Sequence, residues 1–283
     1  MRATDLRDPG STRTRADRCP GVLRPWPAED GGLARVRVPG GRLTASALAA
    51  LAAVAHGYGD GRVRVTARAN LQLRGLPLVD GVLPEEVVAA IEATGLLPSR
   101  AHDLARNVMV SPLTGLAGGR ADLRPVAAGL DSLLLADPAL AGLPGRFLFT
   151  LDDGRGDLAD RHPDLGLVAL DERTAQVRVG STWGRVLDLA DAPAALAGLA
   201  LLFLDRRGSG PTAAWHVDEL ASALAAPQDP APGAVVRSGP LPYGPVAGLT
   251  HVAVTDGIDR ATAAAWAART PEVVITPWHG VLV

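Results

Sequence analysis

The segment Arg62-Val-Arg-Val-Thr-Ala-Arg-Ala-Asn-Leu-Gln-Leu-Arg74 places a polar or cationic side chain at every second position. In an extended chain successive side chains point to opposite faces. Arg62, Arg64, Thr66, Arg68, Asn70, Gln72 and Arg74 therefore share one face, and Val63, Val65, Ala67, Ala69, Leu71 and Leu73 share the other. Leu33-Ala-Arg-Val-Arg-Val38 repeats the pattern, with Arg35 and Arg37 opposite Ala34, Val36 and Val38. Up to six arginines then line one sheet surface. Such a surface suits a polyanion or a carboxylate-rich partner, because guanidinium groups pair bidentately with carboxylates and repel one another when uncovered. An ordinary antiparallel sheet with one wet face produces the same alternation. Strands average about 5–6 residues, so a bend near Ala67–Ala69 is expected.

The elements that must position these residues read as β-α-β-α. Thr44 caps a helix of roughly 45–56 that Gly57 and Gly59 end, and Pro84 and Gly95 bracket a second helix over Glu85–Thr94. Further on, strands are expected at Arg146–Leu151, Gly166–Leu170 and Gln176–Gly180, with helices near 193–203 and 212–225. The Pro/Ala/Asp-rich stretch 226–233 reads as a linker. Beyond it the opening pattern returns as a weak repeat, strand Leu249–Val254, helix Asp259–Arg269 and strand Val273–Gly280, with Thr276 falling where Thr66 falls. The domain expectation is a flexible tail at 1–18, a first half-domain at 19–98, a middle α/β domain at 99–225, and a linker with a second half-domain at 226–283.

Composition narrows the function classes. The 283 residues carry a net charge of -2, so no global charge favours nucleic acid or a membrane surface. All 28 basic residues are arginine, and no Walker-type lysine exists. No apolar run is long enough to span a bilayer and the N-terminus has no signal core, from which a cytoplasmic protein is expected. Cys19 is the single cysteine, which excludes an internal disulfide and a cluster or zinc site built from this chain's thiolates alone. The six histidines show no metal-ligand spacing, and His279 beside Trp278 is the one singled out for testing. Asp152-Asp-Gly-Arg-Gly-Asp157 lacks the spacing of a calcium loop and reads as a turn.

Several of these segments resemble a known family. Val65-Thr-Ala-Arg-Ala-Asn-Leu-Gln-Leu-Arg-Gly75 is similar to the siroheme-contacting segment of sulfite and nitrite reductases, Arg106-Asn-Val-Met-Val-Ser-Pro112 resembles their next motif, and Leu143-Pro-Gly-Arg-Phe147 a third. Cys19-Pro-Gly-Val-Leu-Arg24, Arg35-Val-Arg-Val-Pro-Gly-Gly41 and Thr276-Pro-Trp-His-Gly280 resemble the precorrin-3B synthase branch. The resemblance, over roughly 18–283, implies an α+β fold: a ferredoxin-like nitrite/sulfite reductase half-domain, a middle α/β domain and a truncated second ferredoxin-like half. It implies a tetrapyrrole and anion pocket lined by Arg35, Arg64, Thr66, Arg68, Gln72 and Arg106, with Asn70 and Arg74 on the same face and Arg146 where a basic residue faces the anion. Leu148 stands where sulfite reductases carry a second lysine, which argues against sulfite reduction.

The family's cofactors are a 4Fe-4S cluster and siroheme or a related tetrapyrrole. Its four cluster cysteines are not in this chain, which reaches Val283 just after the Thr276–Gly280 motif. Three readings follow. The first is a precorrin-3B synthase-like oxidoreductase of cobalamin biosynthesis, which uses iron and dioxygen to hydroxylate its tetrapyrrole and close a lactone. The second is a non-catalytic module that holds a tetrapyrrole or docks a cluster-bearing protein. The third is a remnant whose sheet face is only solvated. In the family the two halves pack as a pseudo-dimer, so a second half cut short is expected to expose apolar surface and to favour a homodimer or a protein partner.

Overall fold

The computed structural model describes residues 17–283. Of the expected tail, 1–16 lie outside the described residues, while the Asp17 carboxylate accepts a hydrogen bond from the Gly145 N–H at 2.8 Å. Among the described residues two compact units form, one from 17–18 and 107–240, the other from 19–106 and 241–283. Their boundaries fall at 106/107 and 240/241, eight and fifteen residues after the expected 98/99 and 225/226.

In chain order the second of these units begins with β1 (Trp26–Ala28), β2 (Gly31–Val36), β3 (Arg42–Thr44), α1 (Ala45–Tyr58), β4 (Arg62–Val65), β5 (Leu71–Leu76) and α2 (Glu85–Glu92). Thr44 caps α1 by accepting from the Ala47 N–H at 3.1 Å, as its position predicts. The thirteen-residue alternating stretch is two antiparallel strands, not one bent strand: the chain reverses over Thr66–Asn70, where Ala69 adopts φ 54. Alternation holds within the strands, so Val63, Val65, Leu71 and Leu73 are buried against α1. Full burial of each such side chain contributes roughly 1.5–3 kcal/mol. It fails in the turn, where Ala67 is exposed.

The other unit holds β6 (Val108–Val110), α3 (Arg124–Ala136), β7 (Phe149–Asp152), β8 (Leu165–Ala169), β9 (Thr174–Val179), β10 (Thr182–Asp188) and α4 (Ala192–Arg206). Its mixed sheet runs β10-β9-β8-β7-β6, with β6, β7 and β8 parallel. Phe147 sits between Phe149 and Phe203, ring centroids 5.2 and 4.9 Å apart, and ties sheet to helix. The helix expected at 212–225 is absent: that stretch contains only short 3-10 turns at Gly210–Thr212 and Val217–Glu219. His216 and Asp164 bond its backbone N–H groups there and offer an alternative to helical bonding.

The chain then returns to the first-described unit with β11 (Gly244–Val246), β12 (Leu249–Ala253), β13 (Ile258–Asp259), α5 (Arg260–Ala267), β14 (Glu272–Thr276) and β15 (Gly280–Leu282). The repeat read from the sequence is visible in the sheet orders, β1-β2-β5-β4-β13 and β11-β12-β15-β14-β3. Each half donates its short edge strand to the other half's sheet: Leu43 pairs with Val273, and Ile258 with Val63. Asp259 caps α5 as Thr44 caps α1. His279, at φ 57, takes the turn position that Ala69 takes in the first half. On the face where the first half buries Val36, Leu51 and Leu73, the second half leaves Val252, Trp266 and Val283 half-buried beside a cavity of about 230 Å³.

The exchange needs close backbone approach. Gly41 has φ +70, and a Cβ there would collide with the Ile275 carbonyl oxygen. Gly61 has φ +82 with open space around it, so an added methyl costs only backbone strain. Gly41→Ala is expected to lower the urea midpoint substantially, by strain of ~1–3 kcal/mol plus the clash, and Gly61→Ala to lower it less. Equal midpoints for the two variants would contradict the close approach.

Candidate functional site

Strand β5 lies between β2 and β4, and the register sets Gln72 opposite Arg35 on one side and Arg64 on the other. Since Leu71 and Leu73 point into the core, Gln72 must point away, and a row Arg35–Gln72–Arg64 crosses three strands. With strands about 4.8 Å apart, the two arginine backbones stand about 10 Å from each other. The row opens into a cavity of about 290 Å³, lined also by Thr66, Val254, Thr255, Gly257 and His279.

The cations in this row are incompletely satisfied. Arg35 is half-buried, and its Nε is buried with no hydrogen-bond partner. Burial pulls its pKa below the usual guanidinium range, with Cys19 opposing. A buried donor without an acceptor costs about 1–3 kcal/mol, and a negatively charged ligand group removes that cost. Arg64 is held by an ion pair with Asp60 at 2.6 Å, both groups part-exposed. Thr66 Oγ1 accepts from the Asn70 N–H at 3.1 Å and shapes the turn.

The remaining sequence-predicted site residues divide by location. Arg68 lies in the turn, half-buried, next to this cavity's Thr66 and Ala67. Asn70 is 1% exposed and its Oδ1 accepts from the Val38 N–H at 3.0 Å, so it ties the turn to β2 and does not face the cavity. Arg74 pairs bidentately with Asp30, Nε to Oδ2 at 2.9 Å and Nη2 to Oδ1 at 3.0 Å. Arg106 is buried in the loop before β6. Arg146 belongs to the other unit, with its guanidinium 5.1 Å from the Trp215 ring centroid. Arg37, grouped with Arg35 by alternation, lies beyond the end of β2 and is 3% exposed. Its Nη1 donates to the Pro20 carbonyl at 2.6 Å, and burial pulls its pKa down to about 10. It braces the Cys19-Pro20-Gly21 segment.

Sequence reasoning missed the contribution of Val254, Thr255 and Gly257. Gly257, at φ +88, passes over β4, where a Cβ would lie 3.1 Å from Arg62 Cβ and 3.2 Å from the Val63 carbonyl oxygen. The weak repeat was the available signal, because it implied that the second half reaches the first half's sheet.

The comparisons with known proteins join this geometry. The family model described as nitrite/sulfite reductase ferredoxin-like half domain matches residues 27–82, the stretch that holds Arg35, Arg64, Thr66 and Gln72. Over that stretch the chain is similar to the nitrite/sulfite reductase superfamily. Among curated relatives of this superfamily, a precorrin-3B synthase from Sinorhizobium sp is 34% identical over 137 residues, covering 48% of this chain and 28% of that protein. A ferredoxin–nitrite reductase from Synechococcus elongatus is 35% identical over 130 residues, covering 44% of this chain and 25% of that protein. The matched segments thus span about a quarter of these relatives' lengths. The Mycobacterium tuberculosis NirA structure superposes with a TM-score of 0.65 at 18% identity, covering all of this chain and 60% of that one, and it shows the shared α+β fold.

The superfamily's cofactors can be tested against the residues present. A 4Fe-4S cluster does not fit these 283 residues, which hold one thiolate, Cys19, where four are needed. An acid-bearing tetrapyrrole fits the polar row, because the unpartnered Arg35 Nε and the neighbouring Arg64 match carboxylate acceptors.

The other unit has a smaller cavity, about 160 Å³, lined by Thr150, Asp152, Arg178 and Trp183 among others. The loop before it folds as the turn its glycines predict, with Asp152 Oδ1 accepting from the Gly154 and Gly156 N–H groups, both at 2.9 Å. In the same loop Asp157 accepts from the Ser111 hydroxyl at 2.7 Å, and burial pushes its carboxyl up to about 7. The folded pKa exceeds the unfolded value of about 3.9, so between about pH 4 and 7 the native state keeps a proton that the unfolded chain loses. This group's contribution to stability is therefore present at low pH and is lost as pH rises through that window. Asp157→Asn is expected to flatten the fall in urea midpoint between about pH 5 and pH 8, and an unchanged slope would contradict the assignment.

Proposed function

We propose that this chain is a precorrin-3B synthase-like oxidoreductase of cobalamin biosynthesis, whose first ferredoxin-like half binds a carboxylate-rich tetrapyrrole through Arg35 and Arg64. The observation that carries the reading is the Arg35–Gln72–Arg64 row with its buried, unpartnered Arg35 Nε. Two arginines on backbones about 10 Å apart, with a glutamine between them, suit two acid groups of one ring edge better than one small anion. The cavity's volume, about 290 Å³, lies at the lower end of ligand sites and takes an edge of a macrocycle, the rest of the ring lying outside it.

In this reading Arg35 and Arg64 clamp peripheral carboxylates, and Gln72 keeps the cations apart while offering its amide to the same edge. Thr66 holds the turn that closes the row, and Val254 supplies an apolar wall. Iron supplies the oxidation when bound, and the protein supplies orientation and charge.

A non-catalytic reading is favoured by a specific observation, the single thiolate. There the same cavity holds a tetrapyrrole, and a second polypeptide brings the cluster. Incubating the purified chain with a bound tetrapyrrole, iron and dioxygen separates the two: dioxygen-dependent change of the ring supports the oxidoreductase, and binding without turnover supports the binding module.

The binding claim is tested by titrating uroporphyrin against the wild type, Arg35→Ala and Arg64→Ala. Each substitution is expected to weaken binding by at least tenfold, since a lost charge-assisted pair is worth roughly 1.5–3 kcal/mol. Asp30→Ala, which frees only Arg74, is expected to leave affinity within twofold. Equal affinity across all proteins would remove the pocket.

A further inference from the structure

His279 is the cavity residue whose chemistry the carboxylate clamp does not use. It comes from the second half, at the turn between β14 and β15, and holds a left-handed φ of 57 that costs a non-glycine residue about 1–2 kcal/mol. Its Nδ1 lies 3.0 Å from the Val65 carbonyl oxygen, next in sequence to Arg64. A carbonyl oxygen only accepts, so Nδ1 carries the proton. In the neutral ring Nε2 is then a lone pair, and it has no hydrogen-bond partner among the described residues. A histidine held by a backbone carbonyl through one nitrogen, with the other left open, is the arrangement that metal-binding imidazoles use.

The pseudo-symmetric histidine-bearing site shows what a structural role looks like in the same fold. His251 stands where Arg35 stands in the first half and is 1% exposed. Its Nδ1 donates to the Pro242 carbonyl at 3.0 Å and its Nε2 accepts from the Thr276 hydroxyl at 2.9 Å. The Tyr243 ring covers it at 4.7 Å between centroids. Both nitrogens of His251 are spent inside the protein. His279 spends one, and its ring borders a cavity beside two arginines.

We propose that His279 Nε2 is a ligand to the iron of a metallated tetrapyrrole whose acid edge sits on Arg35 and Arg64. The proposal rests on the tetrapyrrole reading of the cavity and decides which form of the ring it takes, the iron-bearing over the metal-free. It also gives the chain an iron ligand that needs none of the thiolates it lacks. The remote arginine contacts set the ring's position, and the Val65 carbonyl sets the imidazole's tautomer and direction.

The test uses the full chain with iron(III) uroporphyrin and metal-free uroporphyrin, read by Soret-band shift and electron paramagnetic resonance as well as by affinity. Three proteins are compared: wild type, His279→Gly, which tolerates the left-handed backbone, and His279→Asn, which can still donate to Val65. The expected result is at least tenfold weaker binding of the iron form in both variants and loss of the nitrogen-ligand spectrum. Metal-free binding should weaken far less than binding of the iron form, and added imidazole should restore the spectrum in His279→Gly. Wild-type spectra in both variants, or equal loss of both porphyrins, overturns iron ligation while leaving the carboxylate clamp intact. Failure of the wild type to bind metal-free uroporphyrin overturns the clamp and, with it, this proposal.

Discussion

The register of β5 is the constraint on which the candidate site depends. Leu71 and Leu73 are fully buried, and each has an apolar neighbour opposite, Leu71 with Val36 and Val65, Leu73 with Ala34. A slip by one residue would turn these leucines to solvent and bring Gln72 into the core. Hydrophobic burial on one face therefore holds Arg35 and Arg64 on either side of Gln72 on the other. The energy that assembles the cationic row comes from the apolar side of the sheet, and the row itself contributes repulsion and an unsatisfied Nε.

The exchange of edge strands makes the cavity a joint product of the two halves. β13 pairs with β4, and the loop leading to it brings Val254, Thr255 and Gly257 over Arg64. In the opposite direction β3 pairs with β14, reinforced by an ion pair between Arg42 and Glu272. Yet the two related faces are chemically unequal. Positions of Arg35, Arg64 and Gln72 correspond to His251, Val274 and Leu282, all buried. One half keeps a cationic opening, and the other has filled it with a hydrogen-bonded histidine and aliphatic side chains.

Arginine count was a poor guide, and arginine surroundings a good one. Arg74 and Arg155 are spent on Asp30 and Asp153 respectively. Arg35 keeps a buried donor without a partner, and Arg178 does the same in the smaller cavity of the other unit. Among the described residues no helix is long and apolar enough to cross a membrane.

The period-two pattern around Arg64 and the Thr44 cap were sufficient to place strands and helix, because local sterics and backbone hydrogen bonding decide those features. Pattern also separated the buried leucines from the polar row. It did not show that the long alternating stretch folds back on itself at Thr66–Asn70, since alternation on both sides of a tight turn looks continuous. Nor did it show that Asn70 serves the turn or that Arg74 pairs with Asp30, because a partner 44 residues away is chosen by strand pairing. The motif Thr276-Pro-Trp-His-Gly280 was visible as a repeat of Thr66, but its place beside Arg64 follows from the exchanged edge strands. That placement is a long-range consequence of burying both halves' apolar faces together, and only the folded chain decides it.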